Sequence, residues 1–152
     1  MLFCLVTSSC DGKKNSFVQK VPETVVELGP GDSFGVGLAA LLSGTKKYYA
    51  IDVTPHANLI RNVSILNERV QLFQDRESIP DDTEWPDLFP KLDSYKFPDD
   101  IIPKETIEAS LLSKRITKIK NSLGNLISSS SDVQIHYYAK WDNAKNYSKQ
   151  FG

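Results

Sequence analysis

The sequence offers almost nothing with which to hold a metal or a disulfide framework. Its only cysteines are Cys4 and Cys10 and its only histidines are His56 and His136; none stands in a CxxC or Cys/His spacing, so no metal site is expected. A charge excess is missing too. The formal net charge is −1 over 152 residues, which leaves no basic footprint for a phosphate backbone and points away from nucleic acid. No apolar run approaches the roughly 20 residues that span a bilayer, so no membrane association is expected. The apolar opening Met1-Leu2-Phe3-Cys4-Leu5-Val6 has no Lys or Arg before Lys13; it does not read as a secretory leader, and the expected location is cytoplasmic. With 40% hydrophobic residues, the chain suits a globular domain whose default substrate is a small molecule.

Glycine is sparse as well, and two of the few stand together. The short apolar strand Thr24-Val25-Val26-Glu27-Leu28 runs into the turn Gly29-Pro30-Gly31-Asp32-Ser33. A helix is expected from about Ser33 to Ser43, with Phe34, Leu38, Leu41 and Leu42 at helical spacing, then a second strand from Lys47 to Ile51 ending in Asp52 and Val53. Such a strand-turn-helix-strand unit needs glycine where the chain reverses and where a nucleotide must approach the backbone without a Cβ in the way. An acid about twenty residues further on, at the end of the second strand, normally binds ribose hydroxyls, which is the place of Asp52. Small residues at Gly35 and Gly37 predict close packing of the helix on the sheet.

Charge chooses between nucleoside cofactors. A pyrophosphate on the helix N-terminus wants bare amides and no anions, yet Glu27 precedes Gly29 and Asp32 lies inside the turn. Two carboxylates near a pyrophosphate cost a few kcal/mol at an effective dielectric of about 20. A sulfonium and an ammonium would instead be attracted, which favours S-adenosylmethionine over NAD.

The run Val26-Glu27-Leu28-Gly29-Pro30-Gly31-Asp32-Ser33, followed by Tyr49-Ala50-Ile51-Asp52, resembles the first two motifs of class I, Rossmann-like S-adenosylmethionine-dependent methyltransferases. The resemblance implies that Glu27 serves the methionine end of the cofactor, that Gly29 and Gly31 admit it, and that Asp52 holds the ribose, with Pro30, Asp32, Ser33 and Val53 beside them. Many members carry a third glycine where this chain has Ser33, whose hydroxyl could cap the helix. The fold implied is an incomplete Rossmann-like three-layer α/β sandwich, with parallel strands in the order 3-2-1 and helices on both faces.

The remaining chain is organised around that unit. Residues 1–23 form an N-terminal segment without a motif, and residues 24–152 a partial methyltransferase domain. Thr54-Pro55 predicts the start of a long helix, with Thr54 as cap and Pro55 in the first turn, and Leu59, Val63, Leu66, Val70 and Phe73 draw its apolar stripe. His56 and Asn58 lie near Asp52 and could touch ribose or adenine. An insertion follows from Arg76 to Pro103, rich in proline and aromatic residues; its length fits an ordered wrap over part of the active-site rim. A second long helix is expected from Lys104 to Leu123, with Ile107, Leu111, Arg115 or Ile116, Ile119 and Leu123 at helical steps and a solvated cationic face of Lys114, Arg115, Lys118 and Lys120. The third strand, Val133 to Tyr138, leads into Ala139-Lys140-Trp141-Asp142. By resemblance Asp142 would accept from the adenine amine, and Trp141 would be either a stacking wall or a core plug.

Only three of the family's seven strands are accounted for, so the chain is expected to be the N-terminal, cofactor-binding half of a methyltransferase, truncated and inactive in isolation. The expected reaction is methyl transfer from S-adenosylmethionine to a small-molecule or glycan-like acceptor. An NAD(P)-binding oxidoreductase fragment and a non-catalytic nucleotide-binding remnant are the alternatives.

Overall fold

The computed structural model describes residues 21–84, 86, 91, 92, 94–99, 101–126 and 132–140. The N-terminal segment through Lys20, Trp85 and Phe89 of the insertion, and Trp141 and Asp142 lie outside the described residues.

Three short segments rich in β-branched and aromatic residues form one parallel sheet: β1 (Thr24–Leu28), β2 (Lys47–Asp52) and β3 (Gln134–Ala139). The order is β1-β2-β3 with β2 central, the same neighbours as 3-2-1 counted from the opposite edge. The register aligns Val25 with Tyr48 and Ile135, and Glu27 with Ala50 and Tyr137. Four helices complete the α/β arrangement: α1 (Gly35–Leu42), α2 (Leu59–Asp75), α3 (Lys104–Leu111) and α4 (Ser113–Gly124). None of the described helices is long and apolar enough to cross a membrane.

Among the described residues the helices share one face of the sheet, which corrects the expectation of helices on both. Phe34, Leu38, Leu41 and Leu42 next to or on α1, Leu66 of α2, and Ile119 and Leu123 of α4 form a single core with Val25, Tyr48, Ala50 and Ile135. The reason lies in the strand order. When successive parallel strands add in one direction, right-handed crossovers set both connections on the same side. The opposite face carries Val26, Tyr49, His136 and Tyr138, with the Tyr49 and His136 rings stacked at 4.7 Å. Burial, followed by the charge of Lys47, holds the His136 imidazole below its usual pKa.

Close approach of α1 to the sheet depends on Gly37. A Cβ there would lie 2.2 Å from the Tyr48 ring, so the helix backbone rests on the aromatic side chain. Gly35 instead approaches α2, where a Cβ would come within 3.7 Å of Ile65.

Two helix boundaries depart from the sequence reading. α2 starts at Leu59, not at Thr54-Pro55, and its cap is Asn58, whose side chain accepts from Arg61 N at 3.0 Å. Residues 54–56 are held instead from β3: the Tyr137 hydroxyl accepts from His56 N at 2.8 Å and donates to Thr54 O at 3.2 Å. The long helix expected from Lys104 to Leu123 is two helices, broken at Leu112 with ψ 136°. Of the two places the spacing allows Arg115, the inward stripe and the cationic face, it takes the inward one. Its Nη2 donates to Leu41 O at 3.0 Å and Thr45 O at 2.9 Å, closing the free carbonyl end of α1.

The described residues of the insertion are tied to one another and to α2. Ile79 N donates to Tyr95 O at 2.7 Å, and Asp82 accepts from both Tyr95 and Lys91. Arg76, at the left-handed end of α2, pairs with Asp99 and lies over Phe97, which packs edge-on against Phe73. With Ala39 and Ser43 of α1 and Arg69, Leu72 and Phe73 of α2, Ile79, Pro80, Phe97 and Pro98 of the insertion line one cleft.

Candidate functional site

The glycine turn and the end of β2 meet although they are far apart in sequence. The Asp52 carboxylate accepts from Gly31 N at 3.0 Å through Oδ2, a contact spanning 21 residues. Its other oxygen accepts from Val53 N at 2.7 Å and Thr54 N at 3.4 Å. Asp52 is buried, so its charge is held by these amides rather than by bulk water. Gly29 N donates to Ile51 O at 2.8 Å and extends the β1-β2 pairing into the turn.

The turn conformation is one that only glycine adopts without strain. Gly29 has φ 70° and Gly31 φ 65°, and no heavy atom lies within 4 Å of a Cβ built at either position. The outer side of the turn is thus open to a ligand, while its amides are occupied from within. Ser33 N reaches Pro30 O at 3.4 Å, Phe34 N donates to Asn62 Oδ1 at 2.7 Å, and Gly35 N to Ser33 Oγ at 3.3 Å. Ser33 therefore serves the start of α1 as a cap, whereas Phe34, in the formal cap position, offers no side-chain bond.

The two acids that flank the turn have partners. Glu27 points to the helix-bearing face and accepts from the Tyr48 hydroxyl at 2.5 Å. Burial raises the Glu27 carboxyl above its usual pKa, and the Tyr48 hydrogen bond only partly opposes this. The Tyr48 hydroxyl is itself pushed far up, first by burial and then by the Glu27 charge. Asp32 is exposed and pairs with Arg61 of α2 at 2.8 Å. Pro30 is buried, and Val53 is 63% exposed just beyond Asp52. Leu28, at the end of β1, is 70% exposed, so two apolar side chains stand free at neighbouring strand ends beside the turn.

Of the sequence-predicted site residues, Glu27, Gly29, Pro30, Gly31, Asp32, Ser33, Asp52 and Val53 lie on or next to this turn. Sequence reasoning missed Asn62. It is 1% exposed and, besides accepting from Phe34 N, donates to Asp32 O at 3.2 Å and Asn58 O at 2.9 Å. Its signal was a polar side chain in the apolar stripe of α2, three residues after Leu59 and four before Leu66. Arg61 and Tyr48 were missed for a different reason: their roles arise only from tertiary pairing. Among the described residues no group of three His, Cys, Asp or Glu side chains could hold a metal ion.

The arrangement presents an open backbone turn with a buried carboxylate at one end and exposed apolar side chains beside it. No protein-family model, curated protein or solved structure matches the chain.

Proposed function

We propose that the glycine turn and Asp52 form a Rossmann-like site for S-adenosylmethionine, and that the protein serves methyl transfer from its sulfonium to a small-molecule or glycan-like acceptor. The observation that carries this reading is where the turn's amides go. A dinucleotide seats its pyrophosphate on free N–H groups at the helix start. Here the amides of Gly31, Ser33, Phe34 and Gly35 already donate within the protein. To use them a pyrophosphate would have to expel Asp52 and Asn62 from their bonds, at about 1 to 3 kcal/mol for each buried group left unsatisfied. A sulfonium nucleoside has no phosphate and asks for none of these donors. Because Arg61 offsets the charge of Asp32, repulsion by the turn's acids has less weight in this choice than the occupied amides.

The other residues take complementary parts. Each carboxylate oxygen can accept more than one hydrogen bond, so Asp52 keeps capacity for a ribose hydroxyl while it holds Gly31. Leu28 and Val53 offer apolar surface for the adenine ring. Glu27 acts on the ammonium end from behind the turn, fixed in one rotamer by Tyr48. Methyl transfer is an in-line displacement at carbon, for which positioning of the two reactants supplies much of the acceleration.

Isothermal titration with S-adenosylhomocysteine tests the reading. Wild type is expected to bind it, and Asp52→Ala to weaken binding by about 1.5 to 3 kcal/mol, the range for a hydrogen bond to a charged group. Binding of NAD without any response to S-adenosylhomocysteine would overturn the assignment.

A further inference from the structure

We propose that the cleft between α1, α2 and the insertion is a second ligand site, built for a small apolar monocarboxylate with Arg69 as its anchor. The chain has four arginines, and three are committed: Arg61 to Asp32, Arg76 to Asp99, and Arg115 to two backbone carbonyls. Arg69 is half-buried and has no ion pair or hydrogen bond among the described residues. Its guanidinium lies against the start of α1, where a Cβ on Gly35 would be 3.5 Å from Nη2. Its nitrogens stay accessible at the cleft, where an anionic ligand can take them as donors.

The rest of the cleft defines what carries the anion. Arg69 lines a cavity of about 460 Å³ whose other walls include Leu72, Phe73, Ile79, Phe97 and Ile102. That volume lies within the range of pockets that enclose small organic ligands, and its apolar walls with few polar groups are typical of them. The planar guanidinium presents a fork that matches a carboxylate in two parallel hydrogen bonds. Glu77 and Glu84 also line the cavity and are exposed, and neither pairs with Arg69. Their repulsion grows with the charge of the ligand, so a single carboxylate on an apolar body is disfavoured less than a phosphate. The proposal does not depend on the reading of the glycine turn.

The test is isothermal titration of the full 152-residue chain with 4-phenylbutyrate and with its neutral analogue 4-phenylbutyramide. The acid is expected to bind at least about tenfold more tightly than the amide, a comparison that needs no variant. Arg69→Gln is expected to remove that preference while leaving amide binding unchanged, and Phe97→Ala to weaken both ligands. Equal binding of acid and amide to wild type, undiminished binding of the acid to Arg69→Gln, or no binding at millimolar concentration would each overturn the proposal. So would displacement of the acid by S-adenosylhomocysteine, which would place it at the glycine turn, or by equimolar inorganic phosphate, which would remove the selectivity.

Discussion

The two ends of α1 meet the rest of the molecule in opposite ways. At its start the polar groups are consumed: Asn62 takes the Phe34 amide, Ser33 the Gly35 amide, and Asp52 the Gly31 amide just before it. Toward its end Arg115 closes the Leu41 carbonyl, and Ala39 and Ser43 line an apolar cleft with described residues of the insertion, into which Arg69, lying against Gly35, brings a guanidinium without a partner among the described residues. The first end is preorganised, so a ligand there must fit around bonds already made. The second leaves a charge to be answered, so a ligand there supplies what the fold does not. A buried hydrogen-bonded network selects by what it refuses; an unanswered charge selects by what it lacks.

The substitution that breaks both ends at once has the largest expected effect. Gly37→Ala would drive a methyl group into the Tyr48 ring and lift α1 from the sheet, at about 3 kcal/mol, the upper part of the range for overpacking. Urea denaturation measures it, and a loss under about 1 kcal/mol would show that α1 does not rest on that ring. Asn62→Leu should damage the turn end alone. It orphans the Phe34 amide and the Asp32 carbonyl and is expected to cost about 2 kcal/mol of stability, with S-adenosylhomocysteine affinity reduced and 4-phenylbutyrate affinity kept. Equal loss of both ligands would mean that the two ends are not separable.

Arg76→Ala should loosen the other end alone. It removes the ion pair to Asp99 and the cation over Phe97, partly exposed contacts together worth about 1 kcal/mol or less. Here 4-phenylbutyrate binding should weaken while S-adenosylhomocysteine binding holds. The smallest effect is a pH dependence behind the turn. Because the folded Glu27 carboxyl has a pKa raised above its ordinary value of 4.5, the folded state binds the proton more tightly than the unfolded state. This contribution to stability is present below pH 4.5 and is lost as pH rises through the folded pKa. Glu27→Gln should flatten that part of the thermal stability profile; an unchanged slope would remove Glu27 from the account.

The parts of this picture that could be read from sequence are the local ones. Three strands, the glycine turn and the acid at the end of β2 follow from β-branched runs, paired glycines and a spacing, all properties of a few adjacent residues. What could not be read depends on side chains that cross the fold. Thr54 and Pro55 carry good local signals for a helix start, yet the Tyr137 hydroxyl, 81 residues from His56, holds that stretch as a loop and leaves the capping to Asn58. Arg115 looks like one more surface cation until the fold brings to it the Leu41 carbonyl of α1 and the Thr45 carbonyl just beyond that helix, 74 and 70 residues away. Glu27 and Asp32 read as a joint negative field at the turn, and tertiary pairing with Tyr48 and Arg61 gives each a separate partner. The one-sided helices, by contrast, were contained in the strand order and needed only the handedness rule to be drawn out.

The central claim is that the glycine turn admits a nucleoside but not a pyrophosphate, and amide chemical shifts of the 15N-labelled chain test it most directly. Titration with S-adenosylhomocysteine should move the Gly29, Gly31 and Val53 amides, while NAD at the same concentration leaves Gly31, Phe34 and Gly35 in place. Shifts of Gly31, Phe34 and Gly35 on addition of NAD, with none on addition of S-adenosylhomocysteine, would contradict it.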